Sequence, residues 1–146
     1  MNNKLKHLVS VYGSLLRDRG NHGVIGRYIP LDKAKYLGEE TTEAIFSMHD
    51  LGSFPGLSAT GTNKIHTEIY ALDDDAFSSV RALEGYSPSG NGMYDELEIE
   101  TQFGKSVIYI YNFGFNSEAI TPNDDNIVNW NTYYTEKLKS YTNEYW

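Results

Sequence analysis

The chain contains no cysteine. That excludes a disulfide framework, a thiolate nucleophile and any cysteine-ligated zinc or iron–sulfur centre, and it fits a reducing compartment. No apolar run is long enough to span a bilayer, so no membrane partner is expected. Basic charge is scarce: 12 Lys and Arg stand against 20 Asp and Glu, for a net charge of −8. So acidic a chain repels phosphate backbones, and nucleic acid is not an expected partner. The opening residues Met1-Asn2-Asn3-Lys4-Leu5-Lys6-His7-Leu8-Val9 lack the long apolar stretch and small-residue cleavage site of a signal peptide. There is no Asn-x-Ser/Thr sequon. A soluble cytoplasmic protein is the expectation. Walker, dinucleotide, HExxH and EF-hand patterns are also missing. His7, His22, His49 and His66 have no metal-ligand spacing, so neither metal nor cofactor is expected.

What the chain has in abundance is tyrosine, 12 residues against 6 phenylalanines and 2 tryptophans. A ring with a hydroxyl suits half-buried strands and polar pockets alike. The 146 residues suit one domain, residues 1–146, large enough to fold without staples.

Along the chain, Lys6 to Tyr12 reads as a buried strand running into a Gly-Ser turn. Residues 16–30 read as a loop with one helical turn. Strands are expected from Lys35 and over Thr42 to Met48, and the Gly, Ser and Pro content of Asp50 to Thr62 predicts a loop. His66 to Leu72 is a strand by alternation. Asp73-Asp74-Asp75 then supplies an N-cap for a helix over Ala76 to Glu84, which Gly85 ends in a left-handed cap. Ser87 to Gly92 is a loop. Tyr94 to Thr101 and Val107 to Phe113, joined by a turn at Gly104-Lys105, predict a β-hairpin. Asn131 to Tyr145 carries helical spacing. Strands that do not alternate with long helices point to a compact α+β fold, its sheet mixed or antiparallel and open to closure as a barrel.

Two local patterns hold the chemistry. In Val11-Tyr12-Gly13-Ser14-Leu15-Leu16-Arg17, a strand stops at Gly-Ser. Successive backbone N–H groups there can cradle a carboxylate or carbonyl oxygen, or the segment is an ordinary strand-to-turn junction. The G-x-S-x-G frame is absent, so Ser14 is not read as a nucleophile. In Leu83-Glu84-Gly85-Tyr86, a glutamate ends a helix, where the dipole does not favour its charge. Facing an apolar pocket it would become a usable acid or base; facing water it is an ordinary surface carboxylate. The Asp73 to Asp75 run is read as a cap rather than a cation site, because adjacent side chains point in different directions.

Taken together, the patterns resemble the AIG2-like branch of the gamma-glutamylcyclotransferase family. The resemblance rests on Val11-Tyr12-Gly13-Ser14-Leu15 with Arg17 and Asn21-His22, on Phe54-Pro55-Gly56-Leu57, on Ile69-Tyr70-Ala71-Leu72 with Leu83-Glu84-Gly85-Tyr86 and Tyr94, and on Val107 to Tyr111 and Asn129-Trp130. It runs in the family's order over roughly residues 8–135. There are two departures. Val80-Arg81-Ala82-Leu83-Glu84 stands where the family carries Leu-Asp-x-x-Glu, and Asp95-Glu96 stands where it carries a basic residue. The resemblance implies a small mixed, largely antiparallel β-barrel with short flanking helices. It also implies an enzyme, of transferase or lyase type, that releases 5-oxoproline from a small-molecule gamma-glutamyl substrate without a cofactor. Glu84 would be the catalytic acid/base, Tyr12, Gly13, Ser14 and Leu15 the substrate-binding loop, and Tyr94 a hydroxyl donor in the pocket. An altered protein that binds and sequesters a small ligand in the same pocket is the alternative from another class. An interaction protein using its acidic face is a third.

Overall fold

A computed structural model describes residues 4–144, with side chains through residue 140. Seven strands and three helices follow one another as β1 (His7–Val11), α1 (Gly23–Gly26), β2 (Ala34–Thr41), β3 (Phe46–Asp50), β4 (Pro55–Leu72), α2 (Asp74–Glu84), β5 (Tyr94–Thr101), β6 (Gly104–Tyr111), β7 (Ile127–Val128) and α3 (Trp130–Glu144). This is a mixed α+β fold built on a mostly antiparallel sheet of order β2-β4-β1-β6-β5, with β3 and β7 pairing to β4 off that path. Among the described residues, no helix is long and apolar enough to cross a membrane.

β1 is the hub of the sheet. It runs antiparallel to β4, with His7 opposite Leu72 and Val11 opposite Glu68, and parallel to β6 at Val9 and Val107. A strand covered on both faces must be apolar throughout, and Val9, Ser10 and Val11 are all buried. The polar member, Ser10, is satisfied by the Ser106 hydroxyl of β6 at 2.8 Å. The β5–β6 hairpin pairs in full from Tyr94↔Tyr111 to Thr101↔Gly104. Its turn lies at Gln102-Phe103, one step earlier than Gly104-Lys105, because Gly104, with φ 116°, already carries the ladder of β6.

Three expectations need correction. The Gly- and Ser-rich stretch expected as a loop over Asp50 to Thr62 is strand from Pro55 onward, the first half of an 18-residue β4. Its ladder partner is β3, from Asp50↔Pro55 to Ser47↔Ser58. A weak strand former is held by cross-strand bonds that local propensity does not reveal. Gly61 marks the bulge where register shifts, since a Cβ there would lie 2.3 Å from the Phe46 carbonyl carbon. Second, β3 begins at Phe46 rather than Thr42, because the Thr42 hydroxyl and N–H bond to the far end of β4 at Ile65. Third, the sheet does not close into a barrel: among the described residues β2 and β5 share no ladder. Side chains bridge that gap, with Gln102 N–H donating to Glu40 Oε1 at 2.8 Å.

α2 has the ends its sequence predicts. The Asp73 side chain accepts from Ala76 N–H at 2.9 Å, and Gly85 closes the helix at φ 63°, ψ 36°. The rest of the acidic run disperses as expected of a cap, with Asp74 bonding His7 and Asp75 bonding Lys33. α3 is anchored by Trp130, fully buried and stacked on Tyr134. Asp50 fastens the helix further, accepting from the Tyr133 hydroxyl at 2.6 Å and Lys137 Nζ at 2.8 Å. The expected C-terminal limit of this helix, Tyr145, lies outside the described residues.

Candidate active site

The loop that leaves β1 is shaped by what surrounds it. Tyr12 is buried and its hydroxyl donates to the Tyr109 carbonyl of β6 at 2.7 Å. Gly13 packs on Pro55, and a Cβ at that position would stand 2.5 Å from Pro55 Cγ and Cδ. The glycine is therefore required by close approach between two segments of the family resemblance, not by the turn alone. The loop then folds back on itself: Leu16 N–H donates to the Gly13 carbonyl, Asn21 Nδ2 donates to Ser14 Oγ at 3.0 Å, and His22 Nδ1 donates to the Leu15 carbonyl at 3.0 Å. The N–H groups of Gly13, Ser14 and Leu15 donate to no acceptor among the described residues. Three successive unpartnered donors at a cavity wall can receive an anion or a polarised carbonyl. Ser14 has no histidine base beside its hydroxyl, in keeping with its reading as a scaffold residue.

The loop is held from below by a residue the sequence reading passed over. Glu68 of β4 is only 3% exposed. Its carboxylate accepts from Arg17 N–H at 3.0 Å, from Arg17 Nε at 3.4 Å and from the Tyr70 hydroxyl at 2.9 Å. A buried carboxylate is tolerable only with such partners. The signal for it was present: Glu68 is in phase with Tyr70 and Leu72, so period-two alternation turns it inward.

Glu84, the last residue of α2, faces the loop across a cavity of about 240 Å³. Ser10, Val11, Tyr12, Gly13, Ser14, Leu15 and Asn21 line one side. Phe54, Pro55, Leu83, Glu84, Met93, Tyr94 and Tyr109 complete it. Every residue expected at the site from sequence thus lines one cavity. Glu84 accepts no hydrogen bond and has no ion-pair partner among the described residues, and burial pushes its carboxyl up to about 7. The nearby hydroxyls point elsewhere: Tyr12 to the Tyr109 carbonyl, Tyr94 to the Pro55 carbonyl at 2.8 Å, and Tyr109 to Glu96 at 2.7 Å. With no donor to favour the carboxylate, desolvation alone sets its affinity for a proton. Burial raises Tyr12, Tyr94 and Tyr109 as well, and the neighbouring Glu84 charge adds to each. The phenols therefore stay neutral. Tyr94 lines the cavity as expected, but its hydroxyl is committed to backbone.

The two departures from the resemblance meet in space. Arg81 Nε and Nη2 form a two-pronged pair with Glu96 at 2.7 and 2.6 Å. Arg81 also lies over the Phe77 and Tyr86 rings. An acid exchanged for a base on α2 is thus answered by a base exchanged for an acid on β5, which preserves the pair with its polarity reversed. Through the Tyr109 hydroxyl this pair also fixes the cavity floor.

Comparison with known proteins agrees with this architecture. The family model for gamma-glutamyl cyclotransferase, AIG2-like, matches residues 9–132. A protein of Vibrio cholerae serotype O1 named "Putative gamma-glutamylcyclotransferase" is 34% identical over 107 residues, covering 73% of this chain and 84% of its own. Among solved structures, an uncharacterized protein from Pyrococcus horikoshii shares the fold with a TM-score of 0.66 at 21% identity, covering 91% of this chain and 97% of the other. An aig2-like protein from Mus musculus does so with a TM-score of 0.57 at 18% identity, covering 83% and 92%. The chain belongs to the gamma-glutamyl cyclotransferase, AIG2-like family.

Proposed function

We propose that the protein releases 5-oxoproline from a gamma-glutamyl amine or peptide by intramolecular aminolysis. The observation that carries this reading is the pairing, across one cavity, of an unpartnered carboxyl titrating near 7 with three unpartnered backbone donors. The free α-amine of the gamma-glutamyl group attacks its own γ-carbonyl, and a five-membered ring closes. Proximity favours this once the substrate is held bent. The Glu84 carboxylate takes a proton from the attacking nitrogen. The Glu84 carboxylic acid then returns a proton to the departing amine as the C–N bond breaks, so one group serves both transfers. A carboxyl near 7 is matched to both roles at neutral pH. The N–H groups of Gly13, Ser14 and Leu15 donate to the substrate carboxylate or to the oxygen on which negative charge develops. Tyr12 and Tyr94 shape the pocket walls around the bent substrate.

Incubation with gamma-glutamyl amines, gamma-glutamyl dipeptides and glutathione, followed by mass spectrometry for 5-oxoproline, tests the proposal on wild type and Glu84→Gln together. Wild type releases 5-oxoproline, at a rate that rises as pH passes through about 7, and Glu84→Gln does not. A fully active Glu84→Gln sinks the assignment of Glu84. No product from wild type, together with a ligand that raises its melting temperature, replaces the enzyme with a binding protein.

A further inference from the structure

Large apolar side chains exposed to water are concentrated at the mouth of this cavity. Phe54, Leu83 and Met93 are 37%, 38% and 44% exposed, and all three line it. They come from three separate parts of the chain, and backbone bonds hold each in place. Phe54 O accepts from Leu51 N–H, Leu83 belongs to α2, and Met93 N–H donates to the Gly85 carbonyl at 2.9 Å. A patch assembled from distant segments at the rim of a pocket marks a binding surface.

Charge is as sparse there as apolar surface is plentiful. Among the described residues lining the cavity, Glu84 is the sole carboxylate, and no lysine or arginine is present. The arginines nearest in sequence to the two walls, Arg17 and Arg81, are already held by Glu68 and Glu96. Behind the rim, Ser87, Ser89 and Asn91 bond one another and offer only neutral groups.

A gamma-glutamyl group brings one carboxylate and one amine, which the backbone donors and Glu84 accommodate. What remains is the departing amine, and it meets the rim. If that amine carried its own carboxylate, the charge would rest against apolar side chains beside Glu84 with nothing to pair it. Resting on the cyclotransferase reading above, we infer that the departing amine is neutral and apolar, of the alkyl or arylalkyl class, and seats against Phe54, Leu83 and Met93.

The test compares kcat/KM for 5-oxoproline release from gamma-glutamyl-n-butylamide and gamma-glutamyl-phenethylamide with that from gamma-glutamylglycine and the ε-linked gamma-glutamyl-lysine. Wild type is assayed beside Met93→Lys, with folding of the variant checked by its melting curve. The two apolar amides are preferred by at least about tenfold, and Met93→Lys narrows the gap by improving gamma-glutamylglycine. Equal or better use of the charged substrates overturns the inference while leaving the cyclotransferase reading intact. So does a folded Met93→Lys whose preference is unchanged. Release of 5-oxoproline from none of the four overturns that reading and the inference with it.

Discussion

The elevated affinity of Glu84 for a proton must also appear in stability, independently of any substrate. Burial lifts this carboxyl from its ordinary 4.5 to about 7. The folded chain therefore holds the proton more tightly than the unfolded chain. Between those two pH values the native state binds more protons than the unfolded state, so stability falls as pH rises. Below about 4.5 the group is neutral in both states and costs nothing; above about 7 the full penalty is present. At 1.36 kcal/mol per pH unit, that penalty is about 3 kcal/mol. Glutamine has the shape of the protonated acid but cannot ionise. Glu84→Gln is thus expected to match wild type near pH 4.5 and to exceed it by up to about 3 kcal/mol at pH 8, or roughly 3 °C of Tm per kcal/mol. Urea unfolding of both proteins across pH 4 to 8, read by tryptophan fluorescence, measures the difference directly. A stability gain that does not change with pH, or no gain at pH 8, refutes the argument that Glu84 is desolvated and unpartnered. A stabilised variant that has lost activity would locate the strain at the site itself.

Two further outcomes follow from the packing around the cavity. Gly13→Ala forces a methyl against Pro55 Cγ and Cδ, for an expected loss of about 1–3 kcal/mol. Much of that loss returns when Pro55→Ala removes those two atoms, and additive losses in chemical denaturation of the single and double variants would rule out the contact as the cause. Arg81→Glu leaves two carboxylates face to face beneath Tyr109 and is expected to cost about 2–4 kcal/mol. Adding Glu96→Arg restores only part of it, because an arginine at 96 cannot accept the Tyr109 hydroxyl; thermal melts of the cycle measure the coupling.

Much of the fold was legible because its determinants are local. The Asp73 cap, the Gly85 terminator and the alternation of the β5–β6 hairpin each depend on a few neighbouring residues. The first half of β4 was not legible, since residues of low strand propensity are strand there only because β3 lies alongside. Closure of the sheet could not be read either: it depends on whether β2 meets β5, and their order in the chain does not determine that. At the site, residue types and positions could be named from sequence, while Glu68 and Tyr109 were hidden among ordinary strand residues.

The Tyr12-Gly13-Ser14-Leu15 loop and Glu84 were therefore determined as candidates by sequence alone, through their order and their helix and strand ends. Tertiary structure decided what they can do. It alone left the loop donors without acceptors, turned three tyrosine hydroxyls away from Glu84 and gathered an uncharged rim around it. A proton affinity is set by desolvation and by which donors are in reach, and both are supplied by segments far away in the chain.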